Sequence, residues 1–375
     1  MRIAVDASRA ARPNPTGTER YARDLLEALV PAARGHELTL YYDREPPRRL
    51  PGATTRVVPL PRIWTHARLS LEMVRSRPDV LFIPAHVVPL VHPPTVVTIH
   101  DLGYLRYRLA YTPAAWIYLF LSTRWSARVA RRVVVDSWAT REDLLRHCRV
   151  DPARVDVVHL GVESRFRPQP ADAVASLGLE PDGYLLFVGT LQPRKNLPRL
   201  LRAYARLVKE ALGNGRTGAD TRADAGVPPL AIAGASGYRA DELGRLIASL
   251  GIRDHVRVLG YVDDELSPAL FAGARAFLFP SLFEGFGLPL LEAMASGTPV
   301  LGGNNSSMPE IVGDAGLLVD AHDEGAIAEA ILRLATDTPL RRRLRAKGLA
   351  RAARFTWERA ARQTIEALER AASSR

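Results

Sequence analysis

The chain has 375 residues, 47% hydrophobic and 24% charged, an ordinary globular composition too long for one typical core, so two domains are expected. A formal charge of +11 suits phosphate-rich partners such as nucleotide sugars, nucleic acid or anionic lipid, but Lys occurs only at Lys195, Lys209 and Lys347, and an arginine bias from coding or heat adaptation accounts for the charge equally well. The single cysteine, Cys148, excludes an intrachain disulfide and a Cys-rich metal site and fits a reducing, cytoplasmic compartment.

The chain opens on Arg2 to Asp6, read as a short buried strand without the apolar core of a signal peptide, so secretion is not expected. Apolar runs of four to six residues follow at Val80 to Ile83, Val96 to Ile99, Val133 to Asp136 and Val155 to Val158, separated by helix-like stretches. That alternation predicts a parallel α/β sheet. Between these strands lies Ala115 to Arg132, where aromatic and basic residues interleave and Arg124, Arg128 and Arg131 fall at helical spacing. It reads either as a face for anionic lipid headgroups or as a buried helix whose second half carries solvated arginines. No apolar stretch approaches the roughly 20 residues of a membrane span.

The pattern pauses at Gly161 to Pro170 and resumes at Tyr184 to Val188, Leu230 to Ala233, Val256 to Leu259, Ala276 to Phe279 and Gly316 to Val319. Two doubly wound domains are therefore predicted, 1–165 and 166–355, with a closing helix over 356–375 that begins at Trp357. The Gly, Asp, Arg and Thr-rich stretch between Leu212 and Val227 reads as a disordered surface insertion.

Chemistry concentrates in Phe279 to Pro299, which reads strand, glycine loop, helix and glycine stop, with Pro289 in the first helical turn and Gly297 at the end. Glu284 then sits in the loop and Glu292 in the helix, both able to face the crevice at the carboxyl end of the sheet. Gly285 and Gly287 let backbone N–H groups approach an anion, and the helix amino terminus adds about half a positive charge. A diphosphate suits that site, and the carboxylates suit sugar hydroxyls. The ordinary alternative for Glu292 is a first-turn glutamate favoured by the helix dipole.

Phe187 to Asn196 follows a strand and precedes a helix from Leu197, placing Gly189, Arg194 and Lys195 at the same crevice. Val97 to Leu102 puts His100 and Asp101 at the end of a strand in the first domain. Gly17, within Thr16 to Tyr21, reads from its position as turn chemistry, and the turn Gly260 to Asp263 as a helix start with Asp263 as its cap.

Glu284 and Glu292, with Gly285, Phe286, Gly287, Leu288 and Pro289 between them, resemble the carboxylate-pair motif of retaining glycosyltransferase family 4, and the likeness extends over nearly the whole chain. The resemblance implies a GT-B architecture, two Rossmann-like domains facing one another across a cleft, and transfer of a sugar from a nucleotide-diphosphate donor to a glycan or lipid-linked acceptor. It implies that Glu292 binds the ribose hydroxyls, that Glu284 contacts the donor sugar, and that Arg194 and Lys195 neutralise the diphosphate. Gly17 would approach the donor phosphates, Val262 would meet the base, His100 would hydrogen-bond the donor sugar or the oxygen it loses, and Ser306, Ser307 and Glu310 would face sugar and phosphate. Retention of anomeric configuration is implied as well.

The chain contains no Asp-x-Asp pair, the metal-chelating signature of the other large glycosyltransferase architecture, so metal independence is expected, with no cofactor beyond the donor. The run from Thr16 through Gly103 looks most like mannosyltransferases using GDP-mannose, with UDP-glucose the alternative. Two other readings are a nucleotide-sugar epimerase of the same fold and a non-catalytic basic protein. Nucleic acid is not expected as a partner, while an anionic membrane surface is one of the two readings of Ala115 to Arg132.

Overall fold

In the computed structural model, residues 1–12, 17–60, 64–85, 87–108, 111–190, 192–213, 227–234 and 240–373 are described. Thr16, Leu191 and residues 214–226, most of the insertion read from the sequence, lie outside them. The described chain divides into two units, 1–161 with 355–375 and 162–354. The division thus falls between Gly161 and Val162, and the terminal helix is part of the first unit.

Among its described residues the first unit has seven strands, β1 Arg2–Asp6, β2 Glu37–Tyr42, β3 Thr54–Val57, β4 Val80–Ile83, β5 Thr95–Ile99, β6 Arg132–Val135 and β7 Val155–Val157, all parallel in the order β3-β2-β1-β4-β5-β6-β7. Every residue of β4 and β5 is buried, as expected of unbroken apolar runs covered on both faces. Helices α1 Gly17–Ala32, α2 Ser70–Ser76, α3 Gly103–Arg106, α4 Pro113–Val129 and α5 Trp138–Cys148 connect them.

Among its described residues the second unit has six strands, β8 Leu185–Val188, β9 Leu230–Ala233, β10 Val256–Gly260, β11 Ala276–Phe279, β12 Val300–Gly303 and β13 Leu317–Val319, parallel in the order β10-β9-β8-β11-β12-β13. Its helices are α6 Leu197–Gly213, α7 Ala240–Leu250, α8 Ser267–Ala272, α9 Leu288–Ala295, α10 Met308–Val312, α11 Glu324–Thr336 and α12 Thr338–Ala352. The last helix, α13 Trp357–Ser373, packs on α1 and on β4, β5 and β6 of the first sheet. Gly161 fits beneath its start because a Cβ there would lie 2.2 Å from the Trp357 backbone nitrogen.

Both sheets share the doubly wound Rossmann order, in which the first strand is flanked by the second and the fourth. The strand order therefore reverses between β8 and β11 in the second unit, and the loops leaving their carboxyl ends diverge to opposite faces. Among the described residues no helix is long and apolar enough to cross a membrane.

Candidate active site

The loops after β8 and β11 meet at that reversal point. Pro193 opens a short 3-10 turn over Pro193–Lys195, and Asn196, at φ 61°, reverses the chain into α6. The Asn196 Nδ2 donates to the carbonyls of Pro280, at 2.9 Å, and Ala321, at 2.7 Å, which ties the two loops together. Arg194 and Lys195 then converge on Glu284: Arg194 Nη1 lies 2.8 Å from Oε2, and Lys195 Nζ 2.8 Å from Oε1. Ser281 Oγ donates to the same Oε1 at 2.5 Å.

Glu284 and Lys195 are both buried, and the Lys195 ammonium stands 4.6 Å from the centroid of the Phe279 ring. Burial alone would raise the Glu284 carboxyl, but Lys195 and Arg194, with the Lys195 and Ser281 hydrogen bonds, hold its pKa below the ordinary value. Two cations therefore share one buried carboxylate. An incoming dianion would find both cations in place and one carboxylate to displace.

The glycine loop between Glu284 and α9 is braced from the loop after β12. Ser306 Oγ accepts from the Glu284 amide at 2.8 Å, and Ser307 Oγ lies 2.7 Å from the Phe286 carbonyl and 3.0 Å from that of Glu284. Ser306 and Ser307, read from the resemblance as facing the ligand, hold the backbone of this loop, and Glu310 lies in the first turn of α10. Gly287 caps α9 at φ 101°, a left-handed conformation that demands glycine, and Pro289 lies in the first turn. Gly285 and Phe286 are buried, Leu288 half-buried, and Glu292 is buried within α9.

Gly189 sits beside Lys195 with room for a Cβ, whose nearest neighbour would be the Lys195 Cδ at 3.7 Å. The close approach is instead at Gly234, the residue after β9, where a Cβ would lie 2.0 Å from the Gly189 carbonyl oxygen. Val262 is half-buried in the turn after β10, and the Asp263 backbone carbonyl, rather than its side chain, accepts from the amides of Leu266 and Ser267 ahead of α8. Sequence reasoning missed Ser281, Asn196 and Gly234. Ser281 and Asn196 were legible only as parts of motifs, because their partners lie 84 residues or more away or depend on loop closure.

In the first unit, the parallel register pairs Ile99 with Val135, so the next residues, His100 and Asp136, emerge side by side at the carboxyl ends of β5 and β6. His100 Nδ1 lies 2.7 Å from Asp136 Oδ2, and Nε2 lies 3.0 Å from the Pro84 carbonyl. Both partners accept, so an imidazolium donating from both nitrogens satisfies the geometry. Burial would lower the His100 pKa, but the charge and hydrogen bond of Asp136, with the Pro84 carbonyl, raise it above the ordinary value. The Tyr21 ring meets the imidazole edge-on at 4.5 Å. Asp136, which the sequence reading left as a strand residue, is 3% exposed, and its Oδ1 has no hydrogen-bond partner. Asp101 turns back to accept from the Gly103 amide at 2.7 Å, and Gly17 begins α1, exposed and with open space around it.

Two Rossmann-like parallel sheets, one carrying a glycine loop, a buried carboxylate and paired cations at its reversal point, define an α/β protein of the GT-B type. Its residues 15–166 match the family model described as Glycosyltransferase Family 4, and residues 172–351 that described as Glycosyl transferases group 1. It is 32% identical to O-antigen chain mannosyltransferase B of Escherichia coli, over 94% of this chain and 95% of that protein. It is 37% identical to D-inositol 3-phosphate glycosyltransferase of Streptomyces scabiei (strain 87.22), over 64% of this chain and 54% of that protein. Among solved structures, sucrose-phosphate synthase from Thermosynechococcus elongatus superposes with a TM-score of 0.74 at 22% identity, covering 99% of this chain and 98% of that one. WaaG, a glycosyltransferase involved in lipopolysaccharide biosynthesis, superposes at 0.72 and 17% identity, covering 98% and 99%. The chain belongs to glycosyltransferase family 4 and is an enzyme of that class.

Proposed function

We propose that the chain moves a hexose, mannose from GDP-mannose as the first choice, to a glycan or lipid-linked acceptor, with retention of configuration and without a metal ion. The observation that carries the reading is the Arg194–Glu284–Lys195 cluster at the reversal point of the second sheet. On donor binding the two cations turn from Glu284 to the diphosphate, Arg194 through its planar fork and Lys195 as a compact charge. The freed carboxylate then accepts from a hydroxyl of the donor sugar, and Glu292 from the ribose.

The bond from the anomeric carbon to the diphosphate oxygen breaks while an acceptor hydroxyl oxygen bonds to the same face of that carbon. The acceptor proton passes to the departing phosphate oxygen. Charge that develops on the diphosphate is met by cations already in place, which is electrostatic catalysis. A His100 contact to the donor would come at the expense of its bond to the Pro84 carbonyl. Mannose is favoured by the likeness to the Escherichia coli O-antigen chain mannosyltransferase, and a lipid-linked acceptor would bring the chain to the inner face of the membrane.

The test is nucleotide release from GDP-mannose and UDP-glucose in excess EDTA, with and without lipid-linked acceptors. GDP release that survives EDTA is expected. Release of UDP alone would move the reading to a UDP-sugar transferase, and a loss that magnesium or manganese restores would overturn the role given to Arg194 and Lys195.

A further inference from the structure

The His100 side chain is held by groups from four elements of the first unit. Besides Asp136 after β6 and Pro84 after β4, the Thr140 hydroxyl in the first turn of α5 donates to the His100 backbone carbonyl at 3.2 Å. The Tyr21 ring of α1 stands edge-on to the imidazole at an interplanar angle of 78°, its own hydroxyl 3.1 Å from Thr98 Oγ1. The ring is thus fixed in place, and its two nitrogens face unlike partners. Nδ1 meets a carboxylate at 2.7 Å, and Nε2 a neutral carbonyl at 3.0 Å.

That inequality decides which proton the ring gives up. A bare Nδ1 would set its lone pair against the Asp136 carboxylate, so the proton that leaves is the one on Nε2. The neutral ring then turns a lone pair toward the Pro84 carbonyl oxygen and forfeits that bond. Nε2 can therefore donate only from the doubly protonated ring. The other charges nearby act in the same sense or not at all. Asp101 also favours the imidazolium, although its carboxylate accepts from the Gly103 amide. Burial and the Asp136 charge push the Tyr21 phenol up, so it stays neutral. Burial raises the Asp136 pKa, against which His100 and then His159 favour the carboxylate.

We infer that Asp136 is the positioning residue for His100: it keeps a proton on Nδ1, so that Nε2 is a hydrogen-bond donor to the sugar nucleotide only while the ring is doubly protonated. The inference rests on the proposed transfer, in which an oxygen of the donor takes the place of the Pro84 carbonyl. An unprotonated diphosphate oxygen can only accept, and a neutral ring would meet it with a lone pair. Transfer therefore needs the charged ring. Because the Asp136 charge, its hydrogen bond and the Pro84 carbonyl raise the His100 pKa against burial, the contact is complete at low pH and is lost as pH rises through that raised value.

The experiment has two arms, one of which needs no turnover. Nitrogen-15 NMR of the full chain labelled at histidine, with His100 assigned from the spectrum of His100→Gln, follows both ring nitrogens against pH. The wild-type ring should titrate above about 6.5 and, once neutral, keep its proton on Nδ1. Asp136→Asn should bring the midpoint down by about one to three pH units, and Asp136→Glu should restore most of that loss. In the second arm, kcat/KM for nucleotide release from GDP-mannose or UDP-glucose should show an alkaline limb at the same midpoint, moving down in Asp136→Asn and back in Asp136→Glu. A wild-type ring that titrates at or below about 6.5, or that keeps its proton on Nε2 when neutral, overturns the proposal without any variant. So does a wild-type limb that does not follow the ring. A folded Asp136→Asn with the wild-type titration and limb would also overturn it, since Asp136 would then only brace the loop. The expected titration in a chain that releases no nucleotide would uphold the role of Asp136 and sink the transferase reading alone.

Discussion

Each sheet ends in a buried carboxylate met by basic side chains, two in one unit and one in the other. In the second unit one carboxylate, Glu284, is held by two permanent cations, Arg194 and Lys195. In the first, one carboxylate, Asp136, faces His100, an imidazole whose pKa the Asp136 charge and the Pro84 carbonyl raise above its ordinary value. The Glu284 cluster sets two cations, Arg194 and Lys195, on one carboxylate. The His100 pair is balanced one to one, and both imidazole nitrogens are already engaged. In the function proposed above, the two cations on Glu284 take the donor diphosphate, whereas His100 reaches the donor only by giving up its Pro84 bond.

If that distinction is right, damage to the two pairs should differ in size and in kind. The largest effect is expected from Lys195→Met, which removes a buried cation from the surplus: nucleotide release should fall by about 10²- to 10³-fold, as when one preorganised donor to a developing anion is lost. Glu284→Gln should lower kcat by about tenfold to a hundredfold, the worth of one charged hydrogen bond strengthened in the transition state. Glu292→Gln should instead raise the donor KM with kcat nearly unchanged, because a ribose contact is the same in ground and transition states. Steady-state kinetics on folded variants separates the two glutamates, and equal kcat losses would mean that their roles are wrongly divided.

The smallest effect, and the one that differs in kind, is on pH dependence. The His100 pKa is raised, so the stability its charge contributes is complete below the unfolded value of about 6.5 and is lost as pH rises through the folded value. The Glu284 pKa is lowered, so its contribution is present above about 4.5 and is lost as pH falls through the folded value. Thermal melts from pH 4 to about 9 should show both flanks, with Asp136→Asn removing the alkaline one. A melt of Asp136→Asn with the wild-type alkaline flank would contradict the assignment of that flank to His100.

The same contrast explains what could be read from the sequence. The second site was legible because its parts sit in short motifs, Phe279 to Pro299 and Phe187 to Asn196, whose glycines, prolines and charges announce a strand, a turn and a helix. Asp136 was not, because its pairing depends on the register of two adjacent strands, Ile99 against Val135, and register is a tertiary fact. Gly234 went unremarked because its φ of 148° and the approach of the Gly189 carbonyl, which together make glycine necessary, are set by the folded backbone. Among the strands, β2, β3 and β12 were missed. The sequence of β3 is polar and lies at a sheet edge, while β12 ends in two glycines, so neither offers the apolar run that betrayed β4 and β5.

The central claim is that Arg194 and Lys195 pass from Glu284 to the donor diphosphate, which makes Glu284 a competitor of the ligand for the same two cations. Calorimetric titration of GDP and UDP into the wild type and into Glu284→Gln tests this directly, without acceptor or turnover. Neutralising the competitor should tighten both nucleotides by about tenfold, whatever the base, even as turnover falls. Binding that is unchanged or weaker in Glu284→Gln would show that the carboxylate does not compete with the diphosphate, and the account of the site would be wrong.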